Sequence, residues 1–216
     1  MIREFTFNEI LFILTGLGAT FGLSALAFVC GIGGGLAVAL CRTSQFRPMR
    51  ALTSLYIDVF RGTPLLMQLF VAYFALALLG FELNAWSAAA LCFTLHASAF
   101  LGEIWRGSIE AVPRGQVEAA RALSLGYFSR MRYVVLPQAF KISLPATVGF
   151  LVQLIKGTSL ASIIGFHELT RAGTIVSNGT YRPLLAYGVV AVVYFALCWP
   201  LSLWSARLER QLSARN

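Results

Sequence analysis

The chain alternates long apolar runs with short polar segments that carry most of its charged residues. No charged residue interrupts the 32 positions from Ile10 to Cys41, and a helix needs about 20 apolar residues to cross a bilayer. Runs of this kind predict five transmembrane helices, over residues 10–41, 51–81, 83–105, 137–164 and 183–206. In the first span, four glycines predict the close approach of another helix: Gly31, Gly33, Gly34 and Gly35. We therefore expect an all-α integral membrane protein with one transmembrane domain over residues 1–216.

Composition and charge support a membrane protein and give it an orientation. Of the 216 residues, 58% are hydrophobic and 12% are charged, which is about half the charged fraction of a typical soluble domain. Twelve of the 17 basic residues fall in residues 42–50, 106–141 and 207–215, and cytoplasmic loops are enriched in Lys and Arg. This pattern places the N-terminus outside and the C-terminus inside. It also accounts for the net charge of +8 without nucleic-acid binding.

Sequence motifs for catalysis, metal binding and ATP binding are absent. The four cysteines lie in or beside apolar runs with no CxxC or Cys/His spacing, so neither a disulfide framework nor a metal site is expected. No set of His, Asp, Glu and Cys has the spacing of an active site. No Walker motif, GxxxxGK followed by Ser or Thr, is present. We expect a protein that is not an enzyme, binds no cofactor and takes its energy from elsewhere.

The predicted second span contains an ionisable pair and a weak point. Arg61 lies roughly 15 Å along this helix from its cytoplasmic end, near the middle of the membrane. Asp58 is one turn earlier and can pair with it. Gly62 and Pro64 weaken the helix, because Pro64 cannot donate to the carbonyl of Phe60. The pair either contacts a solute at a broken helix or is a neutralised structural pair that fixes a kink.

Further polar side chains lie in the predicted third and fourth spans. His96 is a lone histidine among apolar and small residues, and such a residue is most often a hydrogen-bonded packing residue. The final turns of span four carry Gln153, Lys156, Thr158 and Ser159. These four predict either the lining of an outward-opening cavity or hydrogen bonds between helices, with Lys156 reaching the outer headgroups.

The longest polar segment inside the apolar chain runs from Pro113 to Pro137. Arg114 and Arg121 can pair with Glu118 at helical spacing, and Gly126 suits the end of a helix. A three- and four-residue periodicity predicts short helices with one semi-apolar face, formed by Val117, Ala120, Ser124, Tyr127, Phe128 and Met131. Large apolar residues are too few for strong binding to lipid headgroups. The pattern therefore favours a helix that docks on another protein.

Three motifs carry a resemblance to a known family. Glu118-Ala119-Ala120, followed by Leu136-Pro137, resembles the EAA loop of the membrane subunits of bacterial ABC importers. FRGTPLLMQLF over residues 60–70, and LPQAFKISLP with IKGTSL over residues 136–160, resemble the permeases for polar amino acids. The resemblance covers roughly residues 15–206, and the motifs have the family's order and spacing.

The resemblance implies a fold and roles for particular residues. The fold is that of a type I ABC importer permease, in which the EAA loop carries a coupling helix that sits in a groove of the cytoplasmic ATPase. The implied coupling residues are Glu118, Ala119, Ala120, Arg121, Ser124 and Gly126. The candidates for the substrate pathway are Asp58, Arg61, Gln68, Gln153, Lys156, Thr158 and Ser159. The chain departs from the family twice, with Ser124 where Gly is usual and Gly157 where Asp is frequent.

The resemblance also implies partners and a location. The partners are a pair of cytoplasmic ATPases, a second permease subunit, and an external substrate-binding protein that meets the outer loop at residues 166–182. A short helix is expected in that loop over residues 167–173. The implied function is ATP-driven import of polar amino acids, or of relatives such as opines, across the bacterial inner membrane. The residues alone leave two alternatives: a carrier or channel without an ATPase, and a membrane scaffold that transports nothing.

Overall fold

The computed structural model describes residues 4–44 and 46–213, and the regular elements in these ranges are helical. A π-helical turn, Val71–Ala75, joins α4 to α5, and another, Met131–Val135, joins α8 to α9. A 3-10 helix, Thr158–Ile164, continues α9. The α-helices are α1 Phe7–Thr15, α2 Leu17–Arg42, α3 Arg47–Gly62, α4 Leu65–Phe70, α5 Leu76–Leu78, α6 Ala85–Glu110, α7 Arg114–Ala122, α8 Tyr127–Arg130, α9 Leu136–Gly157, α10 Leu169–Thr180 and α11 Pro183–Ser213.

Within the described residues, four helical runs are long and apolar enough to cross a membrane: Phe7–Arg42, Ala85–Glu110, Tyr127–Ile164 and Pro183–Leu212. The helices from Arg47 to Gly62 and from Leu65 to Leu78 meet the same criterion only as a pair, and they are bent by 106° at their junction. The pair counts as a fifth span if it is one broken crossing. The expectation of an all-α integral membrane protein is confirmed.

The predicted second span differs most from the expectation, because it is broken at Thr63 and Pro64. Thr63 has the extended backbone angles φ −114° and ψ 145°, which the residue before a proline prefers. Pro64 has no backbone N–H with which to continue the hydrogen bonds of α3. The expected kink in one helix over residues 51–81 is therefore a bend of 106° between two helices.

The segment between the third and fourth long helices is shorter than the predicted loop over residues 106–136. α6 continues to Glu110, the short helix α7 follows, and the fourth long helical run begins at Tyr127. Arg106 lies between Glu103 and Glu110 on α6 and binds each carboxylate at 2.6 Å. Pairs at this spacing stabilise a helix, so α6 extends beyond the end of its apolar run.

The core is organised around close contact between α2 and α6. At three positions an added Cβ atom would lie 2.6 to 2.8 Å from a side-chain carbon of α6: Gly31, Gly34 and Gly35. A Cβ atom at Gly33 would meet nothing within 4 Å. The predicted close approach of a second helix is thus confirmed, and three of the four glycines make it possible because they have no side chain.

The segment over residues 166–182 packs on α1 and α11, and α10 is longer than predicted. Glu168 caps α10, because its carboxylate accepts hydrogen bonds from the backbone N–H of Thr170 at 2.9 Å and of Arg171 at 2.7 Å. The hydroxyl of Tyr194 on α11 donates to the same carboxylate at 2.9 Å. Glu168 is fully buried, and this burial raises the pKa of its carboxyl above the ordinary value. The cap therefore ties α10 to α11 through a carboxylate shielded from water.

Candidate functional site

The side chain of Gln68 closes the break between α3 and α4. Its amide nitrogen donates to the carbonyl oxygen of Phe60 at 2.8 Å and to that of Thr63 at 3.0 Å. The Phe60 carbonyl is the acceptor that Pro64 cannot serve, so the side chain replaces a missing backbone donor. The amide oxygen of Gln68 lies 3.0 Å from Nδ1 of His96 on α6. The break is thus held by hydrogen bonds and tied to the neighbouring long helix.

A cavity of about 460 Å³ opens beside this break. Small-molecule sites commonly have volumes of about 300 to 1,000 Å³, so the cavity is large enough for a small polar solute. Three elements form its walls: the break itself, α6, and the end of α9 with the 3-10 helix that follows. Among the lining residues are Thr63, Leu65, His96, Phe100, Phe150, Gln153, Lys156, Gly157 and Ser159.

The predicted pathway residues of span four separate into two groups. Gln153, Lys156 and Ser159 line the cavity. Thr158 is fully buried, and its hydroxyl donates to the carbonyl of Ile155 at 2.7 Å, so it is a packing residue. Periodicity placed all four side chains near one helix end, but it could not reveal that the α-helix gives way to a 3-10 helix at Thr158.

Arg61 and Asp58 do not form the predicted pair. Asp58 is exposed and accepts a hydrogen bond from Ser54 at 3.4 Å. Arg61 instead reaches α6, where its guanidinium lies 3.6 Å from the carboxylate of Glu103 and 5.6 Å from the ring centroid of Phe100. The long side chain of Arg61, at the end of α3, can reach a partner on the adjacent helix, and helical spacing within α3 does not reveal such a partner.

An aromatic wall of the cavity was not predicted from the sequence. The rings of Phe100 on α6 and Phe150 on α9 stack with their centroids 5.3 Å apart, and the ring of His96 lies 4.4 Å from that of Phe100. These residues come from different helices, and no local spacing connects them. These rings give the cavity one apolar side. Among the described residues that line the cavity, Lys156 is the one with a formal charge.

The implied coupling segment contains two short helices, α7 and α8. α7 ends at Ala122, and Ser124 takes the left-handed backbone conformation with φ 60°. Gly126, expected to end the helix, has φ −61° and ψ 165° and precedes the first residue of α8. The left-handed turn therefore falls on Ser124, the position where the family usually has Gly.

Most of the coupling segment faces solvent. Ala120 is buried, while Glu118, Ala119 and Arg121 are exposed. Among the ion pairs of residues 4–44 and 46–213, none joins Glu118 to Arg114 or Arg121, although both pairs were predicted. Two large apolar side chains stand out from the same surface, with Leu123 75% exposed and Phe128 86% exposed. Exposed apolar side chains beside a free carboxylate are suited to contact another protein.

Comparison with known protein families and relatives gives a consistent result. Residues 31–214 match the family described as "binding-protein-dependent transport system inner membrane component". The chain is 35% identical over 212 residues to the arginine transport system permease protein ArtQ of Bacillus subtilis, covering 98% of this chain and 97% of that protein. It is also 35% identical over 207 residues to a putative glutamine transport system permease protein of Rickettsia felis, with 95% of each chain covered.

A further relative is the L-cystine transport system permease protein TcyB of Bacillus subtilis, 37% identical over 198 residues, covering 91% of this chain and 85% of that protein. Among solved structures, the chain resembles an amino acid ABC transporter crystallised with histidines, with a TM-score of 0.90 and 36% identity over 97% of this chain and all of that chain. The fold is shared with the methionine transporter MetNI at a TM-score of 0.75 and 20% identity, covering 96% of this chain and 99% of that one. The chain therefore belongs to the family of binding-protein-dependent transport system inner membrane components, the permease subunits of ABC transporters.

Proposed function

We propose that this chain carries polar amino acids, or relatives such as opines, across the inner membrane of a bacterium as one of two permease subunits of an ABC importer. The observation that carries the proposal is the cavity at the helix break, which combines a charged ammonium group with amide and hydroxyl side chains. The named relatives belong to transport systems for arginine, glutamine and cystine. These solutes share an α-carboxylate and an α-ammonium group and differ in their side chains.

Lys156 binds the carboxylate of the solute in this proposal. Its ammonium group is the formal charge among the described lining residues, and a charge-assisted hydrogen bond to a carboxylate is about twice as strong as a neutral one. Gln153 and Ser159 line the same cavity and offer further polar contacts. Arg61, which faces Glu103, holds the end of α3 against α6 and does not contact the solute.

The remaining parts of the importer are partner proteins. A wall of five helices encloses a pathway more easily with a second subunit, identical or similar, than alone. Two cytoplasmic ATPases bind the surface formed by α7 and α8, with Leu123 and Phe128 in contact and Glu118 paired with the ATPase. A substrate-binding protein delivers the solute at the outer side, near α10. In this arrangement the N-terminus is outside, the C-terminus is inside, and ATP-driven closure of the ATPases moves α7 and α8.

Reconstitution into liposomes with the ATPase and the substrate-binding protein tests the proposed transport. We expect uptake of labelled amino acids only with ATP on the ATPase side. Lys156→Met should reduce uptake at least about tenfold, the effect of one charge-assisted hydrogen bond, while Lys141→Met, an exposed lysine at the start of α9, should not. Uptake without the ATPase would favour a carrier, and no uptake of any amino acid would favour a scaffold.

Charge reversal at Glu118 tests the proposed coupling. Glu118→Lys should leave ATP hydrolysis by the complex measurable and abolish its link to uptake, because the ATPase would meet a charge of the wrong sign. Gln116→Lys adds the same charge to an exposed position of the same helix and serves as the control. Normal uptake per ATP hydrolysed in Glu118→Lys would refute this role.

A further inference from the structure

The orientation of the Gln68 amide is set by its partners at the helix break. The atom that faces the carbonyl oxygens of Phe60 and Thr63 must be the NH₂ group, because a carbonyl oxygen can only accept a hydrogen bond. The opposite atom, the amide oxygen, is therefore the one that faces Nδ1 of His96 at 3.0 Å. An amide oxygen can only accept, so Nδ1 of His96 must carry a hydrogen and donate it.

The second nitrogen of His96 is then an acceptor. A neutral imidazole has one N–H, so a hydrogen on Nδ1 leaves Nε2 with a free lone pair. His96 is 6% exposed, and the centroid of its ring lies 4.4 Å from that of Phe100 and 6.2 Å from that of Phe150. Burying an unpaired cation there is costly, and the charged side chain that shares the cavity, Lys156, has the same sign. The imidazole of His96 is therefore neutral.

His96, which carries this free lone pair on Nε2, lines the cavity. In the part of the chain that the structure describes, Nε2 has no protein partner, and it is not among the fully buried polar atoms. It is thus the polar atom through which His96 meets the cavity. The cavity wall offers an ammonium donor from Lys156 and a neutral acceptor from His96, a combination that suits a solute with both an anionic and a cationic group.

We propose that His96 is a ligand-binding residue, held by Gln68 as the Nδ1–H tautomer, which accepts a hydrogen bond at Nε2 from the ammonium group of a zwitterionic solute whose carboxylate binds Lys156. The identity of the solute rests on the proposed function, whereas the tautomer does not. Because Gln68 also closes the helix break, the same side chain links the geometry of the break to the solute contact. A solute with a carboxylate and no ammonium group binds more weakly.

Nitrogen-15 NMR of histidine-labelled protein tests the tautomer directly. The chain contains two histidines, His96 and the exposed His167, so the variant His167→Gln leaves the signals of His96 alone. In the purified complex we expect a protonated Nδ1 and an unprotonated Nε2. A protonated Nε2, either in the other neutral tautomer or in the imidazolium form, would overturn the proposal.

The same sample tests the ligand contact. A mixture of the twenty proteinogenic amino acids should shift the Nε2 signal towards that of a hydrogen-bonded nitrogen. An unshifted signal in a complex that imports amino acids would overturn the binding role of His96. If no amino acid is imported and the signal is also unshifted, both the proposed function and the ligand role fail, and only the tautomer remains.

Two substitutions separate the two ring nitrogens in uptake assays. His96→Asn keeps a donor near the position of Nδ1 and loses the atom at Nε2, whereas His96→Gln places a polar atom near Nε2. We expect His96→Asn to raise KM for uptake by about 10- to 100-fold, more than it lowers the maximal rate, as for the loss of a hydrogen bond to a charged group. His96→Gln should recover part of this loss, and the control Lys141→Met, at an exposed residue, should leave KM as it is. Equal KM in His96→Asn and the unchanged chain would contradict the proposal.

Discussion

The contact between α2 and α6 makes a sharp prediction about a single methyl group. In the variant Gly35→Ala the new Cβ atom would lie 2.8 Å from the Cβ of Leu101 and 3.1 Å from the backbone nitrogen of Gly102. Carbon atoms normally pack at about 3.5 to 4.0 Å, so the first distance is short by about 0.7 Å. The crowded atoms belong to the backbone or are fixed to it, and no side-chain rotation relieves them. Relief requires the two helices to move apart.

The control is Gly33→Ala, two residues away on the same helix, where the new Cβ atom would meet nothing within 4 Å. Both variants gain the same helix propensity, up to about 1 kcal/mol, so the difference between them measures the crowding. Overpacking of a core costs about 1 to 3 kcal/mol, and we expect Gly35→Ala to be less stable than Gly33→Ala by this amount.

The assay is equilibrium unfolding of the purified protein in mixed detergent and SDS micelles, followed by the fluorescence of its four tryptophans. We expect the unfolding transition of Gly35→Ala to occur at a lower SDS content than that of Gly33→Ala. Equal free energies of unfolding for the two variants would refute the close contact between α2 and α6 that organises this fold.

Three further predictions concern the turn at Ser124, the cavity, and the cap of α10 at Glu168. Ser124→Gly should stabilise the protein by about 1 kcal/mol, because a left-handed conformation is costly for serine and free of that cost for glycine; a less stable variant in thermal unfolding would count against the left-handed turn. Gly157→Asp adds a carboxylate at a residue that lines the cavity, where the new Cβ atom would meet the flexible end of Leu65 and the ring of Phe93. It should improve the competition of cationic over neutral amino acids for uptake by about 5- to 10-fold, as expected for one nearby charge; unchanged competition would place Gly157 away from the solute. The pKa of Glu168 is raised by burial, so the folded state favours its protonated form, and stability should fall as pH rises from 4.5 towards the raised value. In Glu168→Gln this part of the pH dependence should disappear from the thermal midpoint, and an identical slope in both proteins would contradict the burial of an ionisable carboxyl.

The sequence predicts well those features that depend on residues within a single helix. The apolar runs predict the long helices, because a span needs about 20 apolar residues wherever it occurs. The weak point at Pro64 is also visible locally, since proline removes a backbone donor. The 106° bend is not visible, because it depends on how α4 packs after the break. Likewise the end of α6 depends on the charge pairs of Arg106, which extend the helix beyond its apolar run.

The candidate site shows the same division. Lys156, Gln153 and Ser159 could be proposed from their position near a helix end. The role of Gln68 could not, because its partner His96 is 28 residues away and on another helix. Arg61 was paired with Asp58 by helical spacing, whereas its partner Glu103 lies across a helix contact. Contacts between helices depend on their relative rotation, and the sequence alone does not determine this rotation.

We propose that transport by this chain is driven by a separate ATPase bound to α7 and α8. The most direct measurement is purification of the tagged chain in mild detergent from its native membrane, with mass-spectrometric quantification of any ABC ATPase that accompanies it. The unchanged chain should recover the ATPase in comparable amount, and Phe128→Asp, at a side chain that is 86% exposed, should lose it. The control Tyr181→Asp, an exposed aromatic residue at the end of α10, should retain it. Recovery of the chain without an ATPase, together with intact solute uptake by that preparation in liposomes, would contradict ATPase-driven transport by this chain.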